Sequence, residues 1–171
     1  MNTLVTDRTF MRPFQYSDAQ TAFEWLSDSE VMRYIPFGGD STLDQTIQRI
    51  SRYIEHQSNY GFSKWLIHEN DSKSPIGDSG FFHLPDGVRV ELGYRLKRSH
   101  WNRGIATEVA RSWLSVAKDW FGFTEVYAFA HPENSDSLHV LQKLGFTYFQ
   151  TERLYGIDAP LYRYALPALS S

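Results

Sequence analysis

The nine residues from Val88 to Leu96 alternate without exception. Val88, Val90, Leu92, Tyr94 and Leu96 fall on one face, and Arg89, Glu91, Gly93 and Arg95 on the other. That period of two specifies a half-buried strand. It runs directly into Arg98-Ser99-His100-Trp101-Asn102-Arg103-Gly104 and then into Ile105, Val109, Trp113, Val116 and Trp120, which recur at helical spacing. A strand that ends in a basic, glycine-containing turn and opens a helix directs several backbone N–H groups at one point, beside the positive end of a helix dipole. Such a point suits a phosphate or diphosphate. Neither GxxxxGK[ST] nor GxGxxG occurs, so the turn is neither a P-loop nor a dinucleotide fingerprint.

The remaining segments fill in the order of elements. Thr3 to Pro13 reads as a first strand. Ser17-Asp18 caps a helix to about Leu26, with Phe23 and Leu26 facing inward. Ser41 or Thr42 starts a second helix whose inner face is Leu43, Ile47, Ile50 and Ile54. Strands follow at Lys64 to Glu69 and Pro75 to Leu84, and Pro85-Asp86-Gly87 turns the latter into the alternating strand. After the long helix, which Phe121-Gly122-Phe123 ends, come a buried strand from Glu125 to Ala130 and a short helix from Asn134 to Leu144, closed by Gly145. A closing hairpin of Tyr148 to Thr151 and Leu161 to Leu166 completes the chain. The expected fold is α+β, with a central, mostly antiparallel twisted sheet and helices on both faces. With 171 residues, no repeat and no linker, residues 1–171 are expected to form one domain.

Composition removes several function classes. The net charge of −3 argues against nonspecific nucleic-acid binding. No cysteine is present, which excludes a disulfide framework, a Cys zinc site and a Cys nucleophile. The six histidines are scattered with no HxxxH pair, so no metal site is expected. No stretch approaches the roughly 18 apolar residues of a membrane span, which makes a cytoplasmic protein the expectation. Gly77-Asp78-Ser79-Gly80 echoes a serine-protease segment, but in this context it reads as the entry to a strand.

The turn Trp101-Asn102-Arg103-Gly104-Ile105-Ala106 resembles the (Q/R)xxGx(G/A) turn of the GNAT superfamily of N-acetyltransferases, which cradles the pyrophosphate of acetyl-CoA. Trp101 stands where Gln or Arg is usual. Ser29-Glu30-Val31-Met32-Arg33-Tyr34-Ile35 is similar to a segment of the branch containing the ribosomal-protein N-terminal acetyltransferases. So are Asn134-Ser135-Asp136-Ser137 and Leu141-Gln142-Lys143-Leu144-Gly145-Phe146. The order of elements is that of the GNAT fold.

The resemblance implies acetyl-CoA as cosubstrate and direct acetyl transfer to a primary amine, either a protein N-terminal α-amine or a small molecule, in a ternary complex. It implies that Asn102, Arg103, Gly104, Ile105, Ala106 and Thr107, with Arg98, hold the pyrophosphate, that the Leu96 backbone pairs with the pantetheine arm, and that Asn134 contacts the cofactor. Glu91 is the expected general base, its alternative being a surface carboxylate paired with Arg89 or Arg95. Many GNAT enzymes use a Tyr to protonate the departing thiolate; Leu141 takes that position here, which leaves Ser137 or solvent. Trp25, Tyr34, Phe37, Phe82 and Tyr94 are expected to line the amine site. The alternative is a catalytically inactive CoA-binding domain that regulates or docks. A homodimer is left open.

Overall fold

The alternating strand lies in the middle of an eight-stranded sheet in the computed structural model, which describes residues 3–167. The elements in chain order are β1 (Leu4–Val5), β2 (Thr9–Pro13), α1 (Ala19–Leu26), α2 (Leu43–Tyr60), β3 (Lys64–Glu69), β4 (Pro75–His83), β5 (Val90–Leu96), α3 (Ile105–Phe121), β6 (Glu125–Phe129), α4 (Ser135–Leu144), β7 (Thr147–Leu154) and β8 (Ile157–Ala165). The sheet order is β1-β2-β3-β4-β5-β6-β8-β7. Every neighbouring pair is antiparallel except β5 and β6, which are parallel.

Pleating sorts the two faces. Trp65, Ile67, Phe81, Leu92 and Leu96 pack under α3 and α4, against Ile105, Val109, Trp113 and Leu141. Leu66 and Phe82 point the other way, toward Trp25 and Leu26 of α1 and Ile50 and Tyr53 of α2. The fold class and the helices on both faces are as expected.

Four local expectations are corrected. The first strand is two short strands, because Thr6 turns the chain back on itself: its N–H and Oγ1 both bond the Thr9 carbonyl. Helix α2 does start at Thr42 through a capping box with Gln45, but its buried face is Thr46, Ile50, Tyr53 and His56, and Ile47 is exposed. The Thr46 hydroxyl can be buried because it donates to Asp40 Oδ2 at 2.8 Å. Val88 lies in the turn before β5 and is exposed. The closing hairpin is longer than the apolar runs indicate. It meets at Leu154 and Ile157, with Tyr155 (φ 53°) and Gly156 (φ 77°) forming a two-residue turn.

Candidate active site

β5 and β6 share one register point, Glu91 opposite Tyr127, and past it they exchange no further ladder pairs. The direction of the free β5 groups follows from its bonds to β4. Lys97 N–H donates to Ile76 O, and Leu84 N–H to Arg89 O, each at 2.8 Å. Ladder groups alternate between the two edges of a strand. Odd-numbered residues therefore pair with β4; the even ones face β6, where the Glu91–Tyr127 bridge takes the Leu92 N–H, and the Leu92 C=O with the Tyr94 and Leu96 groups is directed into the gap. The Leu96 carbonyl is already taken by the Trp101 indole N–H at 2.8 Å. An open strand edge remains, suited to an extended ligand carrying amide groups.

At the end of this edge lies the basic turn. Asn102 (φ 57°) and Gly104 (φ 76°) are both left-handed, a conformation Asn tolerates and Gly adopts freely. Gly104 is the N-cap of α3 and has no side chain to satisfy the first helical amides. Among the described residues, none of the N–H groups from Asn102 to Thr107 donates to a protein acceptor. A cradle of free amides at a helix start fits a diphosphate. Arg8, absent from the sequence-based set, braces the turn: its guanidinium donates to the Arg103 carbonyl at 2.6 Å and to Glu108 at 2.7 Å. Arg103 lies 3.7 Å from Glu69. Arg98 is turned toward Asp28 at 2.8 Å.

Glu91 marks the vertex where the two strands part. It shares its face with Phe82, Gly93 and Arg95. Neither expected arginine is its partner: Arg89 pairs with Asp86 and Glu152, and Arg95 with Asp78. The nearest cation is Lys64 of β3, 3.9 Å away. Among the described residues no group hydrogen-bonds the Glu91 carboxylate, which leaves its oxygens free to accept a proton. The phenol of Tyr155, carried there by the β7–β8 turn, has its pKa raised by burial and further by the Glu91 charge. Phe37, 86% exposed, meets Tyr155 edge-on with centroids 6.2 Å apart. Tyr34 stacks on His131 beyond the end of β6.

Two aromatic expectations move. Trp25 is fully enclosed, and its indole donates to the buried Asp78 carboxylate at 2.7 Å, so it is core rather than wall. Tyr94 points to the face opposite Glu91, where its phenol lies 3.2 Å from Ser137 Oγ. Burial pushes the Tyr94 pKa up to about 12, so it stays a protonated phenol through the neutral range. Asn134 is the N-cap of α4, accepting from Ser137 N–H at 3.2 Å. Phe82 is half-buried between Tyr53 and His56.

A split sheet with an amide cradle at one end and a carboxylate at the vertex fits an extended ligand that carries amides and a diphosphate. The comparisons agree. The family described as acetyltransferase (GNAT) domain, Acetyltransf_3, matches residues 8–147. YoaA of Bacillus subtilis, an uncharacterized N-acetyltransferase, is 32% identical over 145 residues, covering 84% of this chain and 81% of that protein. The acetyltransferase of Agrobacterium tumefaciens superposes with a TM-score of 0.83 at 23% identity, over 96% of this chain and 94% of its own. RimL, a ribosomal L7/L12 α-N-protein acetyltransferase solved with coenzyme A, superposes with a TM-score of 0.80 at 16% identity, over 96% and 98%. The chain belongs to the GNAT family of N-acetyltransferases. Within it, the match is to the RimJ/RimL-type group. The family uses acetyl-CoA and requires an acetyl acceptor. No described helix is long and apolar enough to cross a membrane.

Proposed function

We propose that this enzyme moves an acetyl group from acetyl-CoA to a primary amine by direct attack in a ternary complex. The observation that carries the reading is the parting of β5 and β6, with an open edge, an amide cradle and Glu91 all on one strand-to-helix unit. The N–H groups of Asn102 to Thr107 would hold the pyrophosphate. The open groups of Leu92 and Tyr94, with the Leu96 N–H, would pair with the pantetheine amides. Acetyl-CoA, when bound, supplies an activated thioester.

The chain's own groups then have distinct tasks. Glu91 takes the proton of the attacking nitrogen, directly or through one water. Ser137 Oγ, held by the Tyr94 phenol, offers a hydroxyl on the other side of the gap; solvent is the competing proton source for the thiolate. The acceptor enters past Phe37, Tyr155 and Tyr34, the aromatic residues gathered on the Glu91 side of the sheet. The acceptor is a protein N-terminal α-amine or a small-molecule amine. An α-amine, with a reference pKa of about 8, loses its proton more readily than a lysine near 10.4.

Calorimetry with acetyl-CoA, followed by thiol release across an amine panel, tests this. Gly104→Glu puts a carboxylate into the cradle at a position with φ 76°, and is expected to weaken acetyl-CoA binding more than about tenfold. Thiol release should then occur with only some amines. Binding without release from any amine would favour a docking or regulatory domain, and unchanged binding in Gly104→Glu would remove the cradle. Glu91→Gln should lower kcat about 100-fold with little change in acetyl-CoA affinity. An unaltered kcat would remove Glu91 as base.

A further inference from the structure

Lys64 stands at the start of β3, and nothing in its sequence context separates it from a surface lysine. In the fold it is 7% exposed, and its side chain runs along the face that carries Glu91. The register sets Lys64 beside Gly80 and Gly80 beside Gly93. The lysine stem therefore crosses two glycines in succession. A Cβ on Gly93 would lie 2.6 Å from Nζ, and one on Gly80 would lie 2.2 Å from the Ser63 carbonyl. Nζ donates to the Gly80 carbonyl at 2.8 Å and ends 3.9 Å from Glu91. The missing side chain at Gly93 makes room for the lysine head, while the one at Gly80 lets the β3 backbone approach β4.

The surrounding charges leave Glu91 as the counter-ion. Arg95 and Asp78 are bonded to each other. His56, from α2, binds the Phe62 carbonyl through Nδ1 and His83 through Nε2, and burial lowers its pKa. On the cleft side the Tyr155 phenol, whose pKa is raised by burial and by the Glu91 charge, is neutral. Burial lowers the Lys64 pKa to about 8, so the group still carries its proton at pH 7. A buried lysine held this way is rare in a stable core.

We infer that Lys64 makes the acceptor amine bind uncharged: Glu91 is one carboxylate facing two amines, and Lys64 keeps the single ammonium that it balances. Two ammonium ions around one carboxylate in a partly desolvated cleft repel, and one of them must shed a proton. The incoming amine, the group open to water, sheds it where its own pKa is no higher than that of Lys64, as for an α-amine at about 8. Its N–H bond breaks and the proton leaves to solvent, which leaves a lone pair on the nitrogen. Glu91, the acceptor-facing base of the reading above, accepts the second proton as the C–N bond forms. The acceptor class is therefore an amine able to lose a proton on binding, and quaternary ammonium ions are refused.

Proton counting tests the inference. An amine found by thiol release is titrated into the protein saturated with CoA at pH 7, in two buffers of different ionisation enthalpy. The wild type should release about one proton per amine bound and Lys64→Met close to none, and the 15N chemical shift of the bound, labelled amine should be that of the free base in the wild type and of the ammonium ion in Lys64→Met; an ammonium shift in the wild type would overturn the inference. Gly93→Ala keeps the lysine but displaces its head, and should also lower the count. Equal counts in wild type and Lys64→Met would overturn the inference even with acetyl transfer established. A panel in which no amine releases thiol would overturn the transfer reading instead.

Discussion

Asp78→Ala will destabilise this protein by about 3–5 kcal/mol, seen as a lower urea midpoint and a Tm reduced by roughly 10 °C or more. Asp78 is 1% exposed and accepts from three donors: Arg95 Nε at 3.0 Å, Arg95 Nη2 at 2.5 Å and Trp25 Nε1 at 2.7 Å. Its removal leaves the Arg95 guanidinium buried with the Tyr53 hydroxyl, at 2.7 Å, as its remaining partner. Most of the loss comes from that uncompensated cation, and little from the net worth of the pair. Replacing both partners, in Asp78→Leu with Arg95→Met, should therefore recover most of the loss. A single-variant loss below about 1 kcal/mol, or a double variant as unstable as the sum of its singles, would contradict this account.

The same network shows what a linear reading can and cannot supply. The alternation of β5 is legible because burial on one face leaves a period of two in the sequence, whereas β3, buried on both faces, reads only as a short apolar run. The starts of α2 and α3 were legible because Thr42 and Gly104 are local signals that need no tertiary partner. Asp78 was not, since its meaning depends on Arg95 across the β4–β5 ladder and on Trp25 from a helix more than fifty residues earlier. Trp25 reads as part of the acceptor wall for the same reason: nothing nearby in sequence reveals a buried acceptor for its N–H. The inner face of α2 is legible in Leu43, Ile50 and Ile54, which pack on the core, but not in Thr46 and Tyr53, which count as polar in a pattern yet are buried.

The cradle could be read because it is contiguous in sequence. The proposed acceptor side is legible only in part: Tyr34 and Phe37 are among the residues the sequence singles out, whereas Tyr155, on a hairpin turn, and Lys64, at a strand start, reach it only through the fold. The Tyr155-Gly156 turn lacks the Asn-Gly or Asp-Gly signature that marks most two-residue hairpins. The Gly77-Asp78-Ser79-Gly80 echo has a structural use instead: Asp78 holds Arg95, and Ser79 Oγ donates to the Gly93 carbonyl at 2.9 Å.

Lys64→Met should make the protein more stable at pH 7, by as much as about 3 kcal/mol, although it removes an ion pair and a hydrogen bond. The lysine pKa is lowered from 10.5 to about 8 because burial penalises its charge. Between those two values the unfolded chain keeps a proton that the folded chain has lost, so wild-type stability rises with pH across that window. Below pH 8 both forms are protonated, and the full cost of holding the buried ammonium remains. Methionine has a similar length and no charge, and fits the space over Gly93 without that cost. The advantage of the variant should be constant below pH 8 and shrink toward pH 10.5 in urea titrations of the two proteins. A variant less stable than wild type at pH 7, or a difference flat across that window, would show that the ammonium is well compensated where it lies. If the advantage is found together with the loss of proton release on amine binding, the lysine is retained at a cost to the fold for what it does to the acceptor. Stability and chemistry then oppose each other at one side chain, as expected where a binding site is built into a core.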